Sequence, residues 1–365
     1  MSVIASLYLA VKVGRVSIGT ILSAGIVDVF SGEVANAQTL AATLRLARGL
    51  SPIRPIGRRW LAVAAAALVT GAYAAQVVVP AAENSPAPIA GIAPSYGPKT
   101  VSAVPNAMAI VRRIWLPGLD AGYDPQGLAV DGGGIYVSAY RSDSLGVRRG
   151  PCRVIRIDLE TGAPTGYVDV PSPCGHAGGL AIGGDGMVYV ADTHTLFATP
   201  LAQAFDPGAR FRQFPLGPGV IGGLAASTPD GIWLGTYENG PGRLFRFTAA
   251  TLARLSDGET LEASRAATVL TIPDHAQGAA IGGGGLWIAR SDWSWGTLDR
   301  LDPATGAPQR RYEIAPGTEG IAFGSAGRLW AVSEAGSRHI YDHPFLGLFE
   351  PFFPLVFALD LSRLE

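Results

Sequence analysis

The side chains best suited to acid–base or metal chemistry lie just before a glycine that recurs in five similar segments. Two histidines, His176 and His275, and one acid, Glu319, occupy such places. Imidazole and carboxyl groups transfer protons in many active sites, and together they suit transition metals, whereas Ca²⁺ prefers oxygen ligands alone. The sequence therefore predicts that His176, His275 and Glu319 act as catalytic acid–base residues, as ligands of one divalent cation (calcium, magnesium or zinc), or as both.

Other polar side chains occupy the same places or the turn that follows the next strand. The predicted substrate-binding residues are Asp124, Gln126, Gln277, Tyr237, Arg290 and Trp293. The structural alternative is that these groups cap strand ends and hold water in a polar channel. Trp293 and Trp295 would form a stacking surface for a sugar or an aromatic ligand, or they would pack between neighbouring units.

The five segments share a glycine, a short apolar strand, a Gly/Asp turn and a second strand with one aromatic residue. The segments begin at Gln126, Gly178, Gly222, Gln277 and Glu319. The recurring glycines are Gly127, Gly179, Gly223, Gly278 and Gly320, and the aromatic residues are Tyr136, Tyr189, Trp233, Trp287 and Trp330. Because two strands and a turn cannot bury a core alone, a period of this length predicts stacked units. The regular aromatic position predicts packing between those units.

Third and fourth strands follow in most segments, which predicts an all-β propeller built of four-stranded antiparallel blades. The chain finishes on a third strand near Leu355 and starts the repeat region with an orphan fourth strand at Ile110. Pairing these two strands would close the ring and leave only short edges exposed. Five repeats predict five blades within residues 109–365, and residues 335–354 leave room for a degenerate sixth.

The N-terminal third of the chain has a different composition. Residues 54–75 combine a basic start, a short apolar run and the small-residue pattern Ala72-Tyr73-Ala74, which predicts a cleaved signal peptide. Residues 1–53 are interpreted as an upstream extension or a long n-region. Residues 76–108 are rich in Pro, Ala and Ser and are predicted to be a linker. The protein is therefore expected to be secreted or periplasmic, without a stable membrane span after cleavage.

Cysteine content and net charge indicate the compartment and the kinds of partner that are expected. Cys152 and Cys174 are the only cysteines, and in an exported chain they most simply form one disulfide. A formal net charge of −1 gives no basic surface, so a nucleic-acid partner is not expected. The hydrophobic fraction of 48% is sufficient for a large core, and a monomer is expected.

The blade pattern, with its GLA core and the third-strand sequences IDLETG and LDPATG, resembles the exported gluconolactonase-like and streptogramin-lyase-like propellers of the NHL type. The resemblance covers about residues 110–361 and implies a small-molecule or glycan ligand at one mouth of the channel. Lactonases of that group hold a divalent cation with Glu, Asn and Asp; Glu319 matches the Glu, and no Asn occupies a comparable place.

The resemblance implies a metal-assisted lactonase-like or esterase-like hydrolase. A metal-dependent lyase and a non-enzymatic propeller that binds sugars, peptides or an envelope partner are the alternatives, so the sequence leaves open whether the protein is an enzyme.

Overall fold

The computed structural model describes residues 82–98, 100–132, 134–142, 150–292, 294–324, 327–343 and 350–365. The segments 1–53 and 54–75, interpreted above as an extension and a signal peptide, lie outside these residues. No helix in the described ranges is both long enough and apolar enough to cross a membrane.

The described strands form five sheets, which are the blades of a propeller and are antiparallel except for one short strand at the edge of blade 5. Blade 1 contains β3 (Tyr123–Asp131), β4 (Gly134–Arg141), β5 (Cys152–Asp158) and β6 (Pro164–Val170). Blade 2 contains β7 (Gly179–Ile182), β8 (Met187–Ala191), β9 (Thr195–Pro200) and β10 (Arg212–Pro215). Blade 3 contains β11 (Leu224–Thr228), β12 (Gly231–Gly235), β13 (Gly242–Thr248) and β14 (Thr268–Ile272). Blade 4 contains β15 (Ala276–Gly282), β16 (Gly285–Ser291), β17 (Gly296–Leu301) and β18 (Pro308–Glu313).

Blade 5 is assembled from both ends of the repeat region. Its strands are β19 (Thr318–Phe323), β20 (Leu329–Ser333), β21 (Leu355–Leu359), β2 (Ile110–Trp115) and the short β1 (Ile89–Ala90). β2 pairs antiparallel with β21, from Ile110 opposite Leu359 to Trp115 opposite Leu355. The predicted closing pair is therefore confirmed. The described part of residues 335–354 holds no further blade, so the number of blades is five.

Part of the segment predicted as a linker packs on blade 5. β1 pairs parallel with β2, and Val104 and Ala107 are buried in the core shared by blades 4 and 5. These residues are apolar enough to add to the core despite the Pro- and Ser-rich surroundings. In the described ranges, helical structure is confined to short pieces: α1 (Ala249–Ala253), α2 (Arg338–Tyr341) and 3-10 turns at Ala107–Ala109, Leu119–Ala121, Leu201–Gln203, Ala263–Arg265 and Leu361–Arg363.

The recurring aromatic residues fill the interfaces between blades, as the sequence predicts. Tyr136 packs with blade 2 residues such as Leu180, and Trp330 of blade 5 packs with blade 1 residues such as Leu128. The other three, Tyr189, Trp233 and Trp287, likewise join a cluster with the following blade. All five are buried, and each removes a large apolar surface from water.

The recurring glycines allow neighbouring inner strands to approach closely around the axis. A Cβ on Gly127 would lie 2.3 Å from the Leu180 nitrogen, and one on Gly320 would lie 2.3 Å from the Leu128 nitrogen. No real Cβ makes such contacts, so a larger residue would push adjacent blades apart. Gly320 makes its approach across the junction of blades 5 and 1, where the ring closes.

Candidate functional site

A cavity of about 620 Å³ opens along the axis of the propeller, and every blade contributes to its wall. Its lining falls into two rings of side chains. One ring surrounds the start of each inner strand and consists of Gln126, His176, Ile221, Gly223, Gln277 and Glu319. The other lies at the ends of the second strands or in the connections beyond them, and consists of Thr193, Tyr237, Ser291, Asp292, Ser294, Glu334 and Glu350.

Three of the inner residues are presented by β-bulges. The ladder register shifts between Pro125 and Leu128 in β3, between Ala276 and Gly278 in β15, and between Thr318 and Ile321 in β19. Gln126, Gln277 and Glu319 lie in these bulges. A bulge inserts an unpaired residue and re-aims its side chain, which is why bulges are common next to binding sites. The bulge thus places one polar group from each of blades 1, 4 and 5 against the cavity.

His176 reaches the cavity from a loop instead. The carboxylate of Asp192 accepts hydrogen bonds from the backbone nitrogens of His176 at 2.7 Å, Ala177 at 3.0 Å and Gly175 at 3.3 Å. The disulfide between Cys174 and Cys152 of β5 ties the same loop to blade 1, with a Cα–Cα distance of 5.8 Å.

The predicted disulfide is therefore confirmed, and it lies two residues from a side chain that lines the cavity. The His176 ring also packs against the buried Tyr140 ring, with centroids 5.5 Å apart. Backbone capping, a covalent link and ring packing together hold the imidazole in one place.

The described lining is rich in carboxyl groups. It contains Asp292, Glu319, Glu334 and Glu350, one histidine, and neither Lys nor Arg. Glu319 and Gln126 are almost completely buried, at 1% and 3% exposure. The Gln126 amide donates a hydrogen bond to a Glu334 carboxylate oxygen at 3.2 Å, across the junction of blades 1 and 5. This hydrogen bond links blades 1 and 5 through two residues that line the cavity.

The structure places Gln126, His176, Tyr237, Gln277 and Glu319 of the predicted site residues around this one cavity. Three others are not among its described lining residues: Asp124, His275 and Arg290. Asp124 is fully buried and pairs with His339 of α2 at 3.1 Å. Trp293 lies outside the described residues.

His275 and Arg290 belong to a separate network on blade 4. The His275 Nδ1 lies 2.8 Å from an Asp274 carboxylate oxygen, and Arg290 donates to the other Asp274 oxygen at 2.5 Å. Arg290 also contacts Asp299, which Arg311 binds with two nitrogens. Burial acts to raise the pKa of Asp274, but the His275 hydrogen bond and the Arg290 charge outweigh it and hold that pKa below its usual value. The His275 ring lies edge-on to Tyr237 and Trp295.

Several lining residues were not predicted as site residues. Asp292 and Glu334 follow the second strands of blades 4 and 5, as Tyr237 follows that of blade 3, so this position carried a usable signal. Asp292 also accepts hydrogen bonds from the backbone nitrogens of Ser294 and Trp295, which fixes the turn. Glu350 lies in the connection before β21, where the repeat pattern is absent, and nothing in the sequence singles it out.

The three residues predicted as metal ligands lie in two parts of the structure. Among the described residues, one group of three His, Cys, Asp or Glu residues has its ligand atoms within 4.8 Å of one another, namely Cys152, Cys174 and Asp192. Its two sulfurs are joined in the disulfide and are therefore not thiolate ligands. His176 and Glu319 line the cavity, whereas His275 contacts Asp274 and is not among the described lining residues. A divalent cation shared by the three residues stays a prediction.

Comparisons with known proteins place the chain beside other structures only at low similarity. No protein-family model and no curated protein matches it. A glutaminyl cyclase from Myxococcus xanthus aligns at 14% identity over 69% of this chain and 94% of its own, with a TM-score of 0.41. A luciferin-regenerating enzyme aligns at 12% identity over 66% of this chain and 92% of its own, with a TM-score of 0.37. At these scores the alignments carry no argument about activity, and the propeller assignment rests on strand order.

Proposed function

We propose that the protein binds a small organic cation, an amine, in the axial cavity. The observation that carries this proposal is the lining itself: side chains from all five blades surround one cavity, and its described acidic and basic side chains are four carboxyls and one histidine. Ammonium groups form strong charge-assisted hydrogen bonds with carboxylates. Around a buried side chain such as Glu319 the effective dielectric constant is lower than in water, and this strengthens the attraction between opposite charges.

The remaining lining residues suit the same ligand. The side-chain carbonyl groups of Gln126 and Gln277 accept hydrogen bonds, and the Tyr237 ring offers a face to a cation. A volume of about 620 Å³ lies within the usual range for small-molecule sites. Amides and an aromatic ring would thus orient the ligand after the carboxyl groups have attracted it.

The enzymatic alternative is a metal-assisted lactonase, esterase or lyase, with one divalent cation polarising the substrate. The dispersed positions of His176, Glu319 and His275 do not favour that alternative, and the carboxyl-rich lining disfavours anionic products of ester cleavage. The binding function is therefore the one that we retain.

An extracytoplasmic location belongs to this proposal. The sequence of residues 54–75 predicts export, and the Cys152–Cys174 disulfide would persist in an oxidising compartment such as the periplasm or the extracellular medium.

Charge selection is tested with three linear four-carbon probes: putrescine, 1,4-butanediol and succinate. Isothermal titration calorimetry of the purified full chain is expected to show saturable binding of putrescine only. Glu319→Gln should weaken putrescine binding by about tenfold or more, because a hydrogen bond to a charged group contributes about 1.5–3 kcal/mol. The matched control is Glu160→Gln, whose side chain is 89% exposed. Preferred binding of succinate, or equal loss in both variants, would refute the proposal.

A further inference from the structure

A second cavity, of about 640 Å³, adjoins the axial one and forms a groove toward the outside of blade 4. Ser294 and Glu350 belong to the walls of both cavities. The two spaces therefore adjoin at these residues, and a ligand that extended past them would enter the second cavity. The other described lining residues of the second cavity are Ala82, Ser102, Ala103, Pro105, Trp295, Gly296, Thr297, Glu313, Ile314, Pro316 and Pro351.

The N-terminal segment forms one wall of this groove and is fixed in place. The Asn106 amide donates to the Glu313 carbonyl oxygen at 2.8 Å, at the end of β18. Ser102 and Phe352 exchange hydrogen bonds at 2.9 Å in each direction. The opposite wall includes the turn that Asp292 caps at Ser294 and Trp295. Both walls are thus held by specific contacts, which favours a preformed site.

The chemistry of the groove alternates between apolar surface and carboxyl groups. The Trp295 ring and the prolines at 105, 316 and 351 offer apolar contact. Glu350 lines both cavities, and Glu313 lines the second one only. The described lining contains neither Lys nor Arg, and the nearby Arg290 is bound by Asp274 and Asp299.

From this arrangement we infer that the ligand is a linear polyamine, with one ammonium group in the axial cavity and its methylene chain running past Ser294 and Trp295 toward Glu313. This inference rests on the proposed function and specifies its ligand class. Spaced ammonium groups complement Glu350 and Glu313, and the intervening methylenes contact the indole and proline surfaces. A compact cation would occupy the axial cavity alone and leave the groove unused.

The test is a length series of putrescine, spermidine and spermine, titrated calorimetrically at about 0.15 M salt. Affinity is expected to rise along the series, with spermine binding about tenfold more tightly than putrescine. Because the formal net charge of the chain is only −1, non-specific attraction of polycations contributes little to this difference.

Two variants distinguish the groove from the axial cavity. Glu313→Gln should weaken spermine binding by about fivefold and leave putrescine binding unchanged, since an exposed ion pair contributes at most about 1 kcal/mol. Glu319→Gln should weaken the binding of both amines. Glu160→Gln is again the exposed control. Trp295→Leu, which keeps an apolar side chain, should likewise reduce the advantage of spermine over putrescine.

The outcomes separate this inference from the proposed function. If putrescine binds and spermine binds no more tightly, the groove is not a polyamine subsite, although the axial cavity still binds amines. If neither amine binds, both the proposed function and this inference fail. If Glu313→Gln weakens putrescine and spermine binding equally, Glu313 acts through the fold, and the inference is overturned.

Discussion

His176 and His275 occupy the same place in the repeat, three residues before the recurring glycine of blades 2 and 4, yet the fold uses them differently. His176 lines the axial cavity. His275 is not among the described lining residues; it binds Asp274 and lies edge-on to Tyr237 and Trp295. Equivalent positions in a repeat therefore do not guarantee equivalent roles.

The residue immediately before the recurring glycine accounts for the difference. In blade 4 this residue is Gln277, which lies in a bulge and occupies the wall of the cavity. In blade 2 it is Gly178, where a Cβ would lie 2.7 Å from the Gly223 carbonyl oxygen. With no side chain at that place, the imidazole of His176 fills the wall from farther back in the loop.

In the other blades, too, the residue immediately before the recurring glycine lines the cavity when it has a side chain, and a residue farther back does so when it is glycine. Blades 1 and 5 have Gln126 and Glu319 immediately before the glycine, and both line the cavity. Blade 3 has Gly222, whose Cβ would lie 2.2 Å from the Asp192 carbonyl oxygen, and Ile221 lines the cavity instead. Bulges in the ladder thus present Gln126, Gln277 and Glu319 to the cavity, whereas the loop-borne side chain of His176 depends on the contacts that hold its loop.

The support with the largest expected effect is the disulfide that holds the His176 loop. Replacing both cysteines, as Cys152→Ser with Cys174→Ser, should lower the free energy of unfolding by about 3 kcal/mol, because the loop of 22 residues regains its entropy in the unfolded chain. Urea unfolding measures this change.

The same double variant should weaken putrescine binding, since His176 loses its covalent tether. The parent protein treated with a reducing agent is the control and should match the variant. A double variant as stable as the parent, with unchanged affinity, would show that the Asp192 hydrogen bonds and the Tyr140 packing hold the loop without the disulfide.

Gly178→Ala tests the rule for the residue before the glycine. The added methyl group meets the Gly223 carbonyl oxygen, so blades 2 and 3 must separate, and we expect a loss of about 2 kcal/mol. Gly240→Ala is the matched control: no atom lies within 4 Å of its Cβ and its φ is unexceptional. That control should change stability by less than about 1 kcal/mol. Equal stability of the two variants would remove the steric explanation for the position of His176.

Much of the fold follows from the sequence because its signals are local and repeated. The glycines mark close approaches between inner strands, and the aromatic residues mark blade interfaces. The incomplete blade at the end of the repeat region offers an edge with which the strand at Ile110 can pair. Each signal reflects a steric or hydrophobic requirement that recurs in every blade, so five copies reinforce one another. The disulfide is predictable for a similar reason, since two cysteines allow one pairing.

The site is less predictable because it depends on departures from the repeat. The bulges at Gln126, Gln277 and Glu319 cannot be seen in a residue pattern, since a shift of one residue in register changes which side chain faces the axis. Asp124 looks like a site residue, but its pairing with His339 depends on α2, in a connection that has no repeat. Glu350 comes from the same connection. Positions that are equivalent by count therefore place His275 beside His176, whereas the described lining of the cavity contains Gln277 and not His275.

The smallest expected effect concerns the separate network of His275. Because the pKa of Asp274 is held below its unfolded value of about 3.9, its carboxylate stabilises the fold above that pH, and this contribution is lost as the pH falls through the folded-state pKa. Asp274→Asn should therefore cost less than about 1 kcal/mol at pH 7, since the side chain is 39% exposed and screened by solvent.

The difference in stability between Asp274→Asn and the parent should shrink below about pH 4 and disappear once the carboxyl is protonated in both folded and unfolded states. Urea unfolding across this pH range measures it, with Asp206→Asn at an exposed carboxyl as the control. Putrescine affinity at neutral pH should be unchanged, because His275 and Asp274 lie outside the described lining of the axial cavity. A loss of affinity comparable with that of Glu319→Gln would instead place the His275 network in the site and make the two histidines equivalent after all.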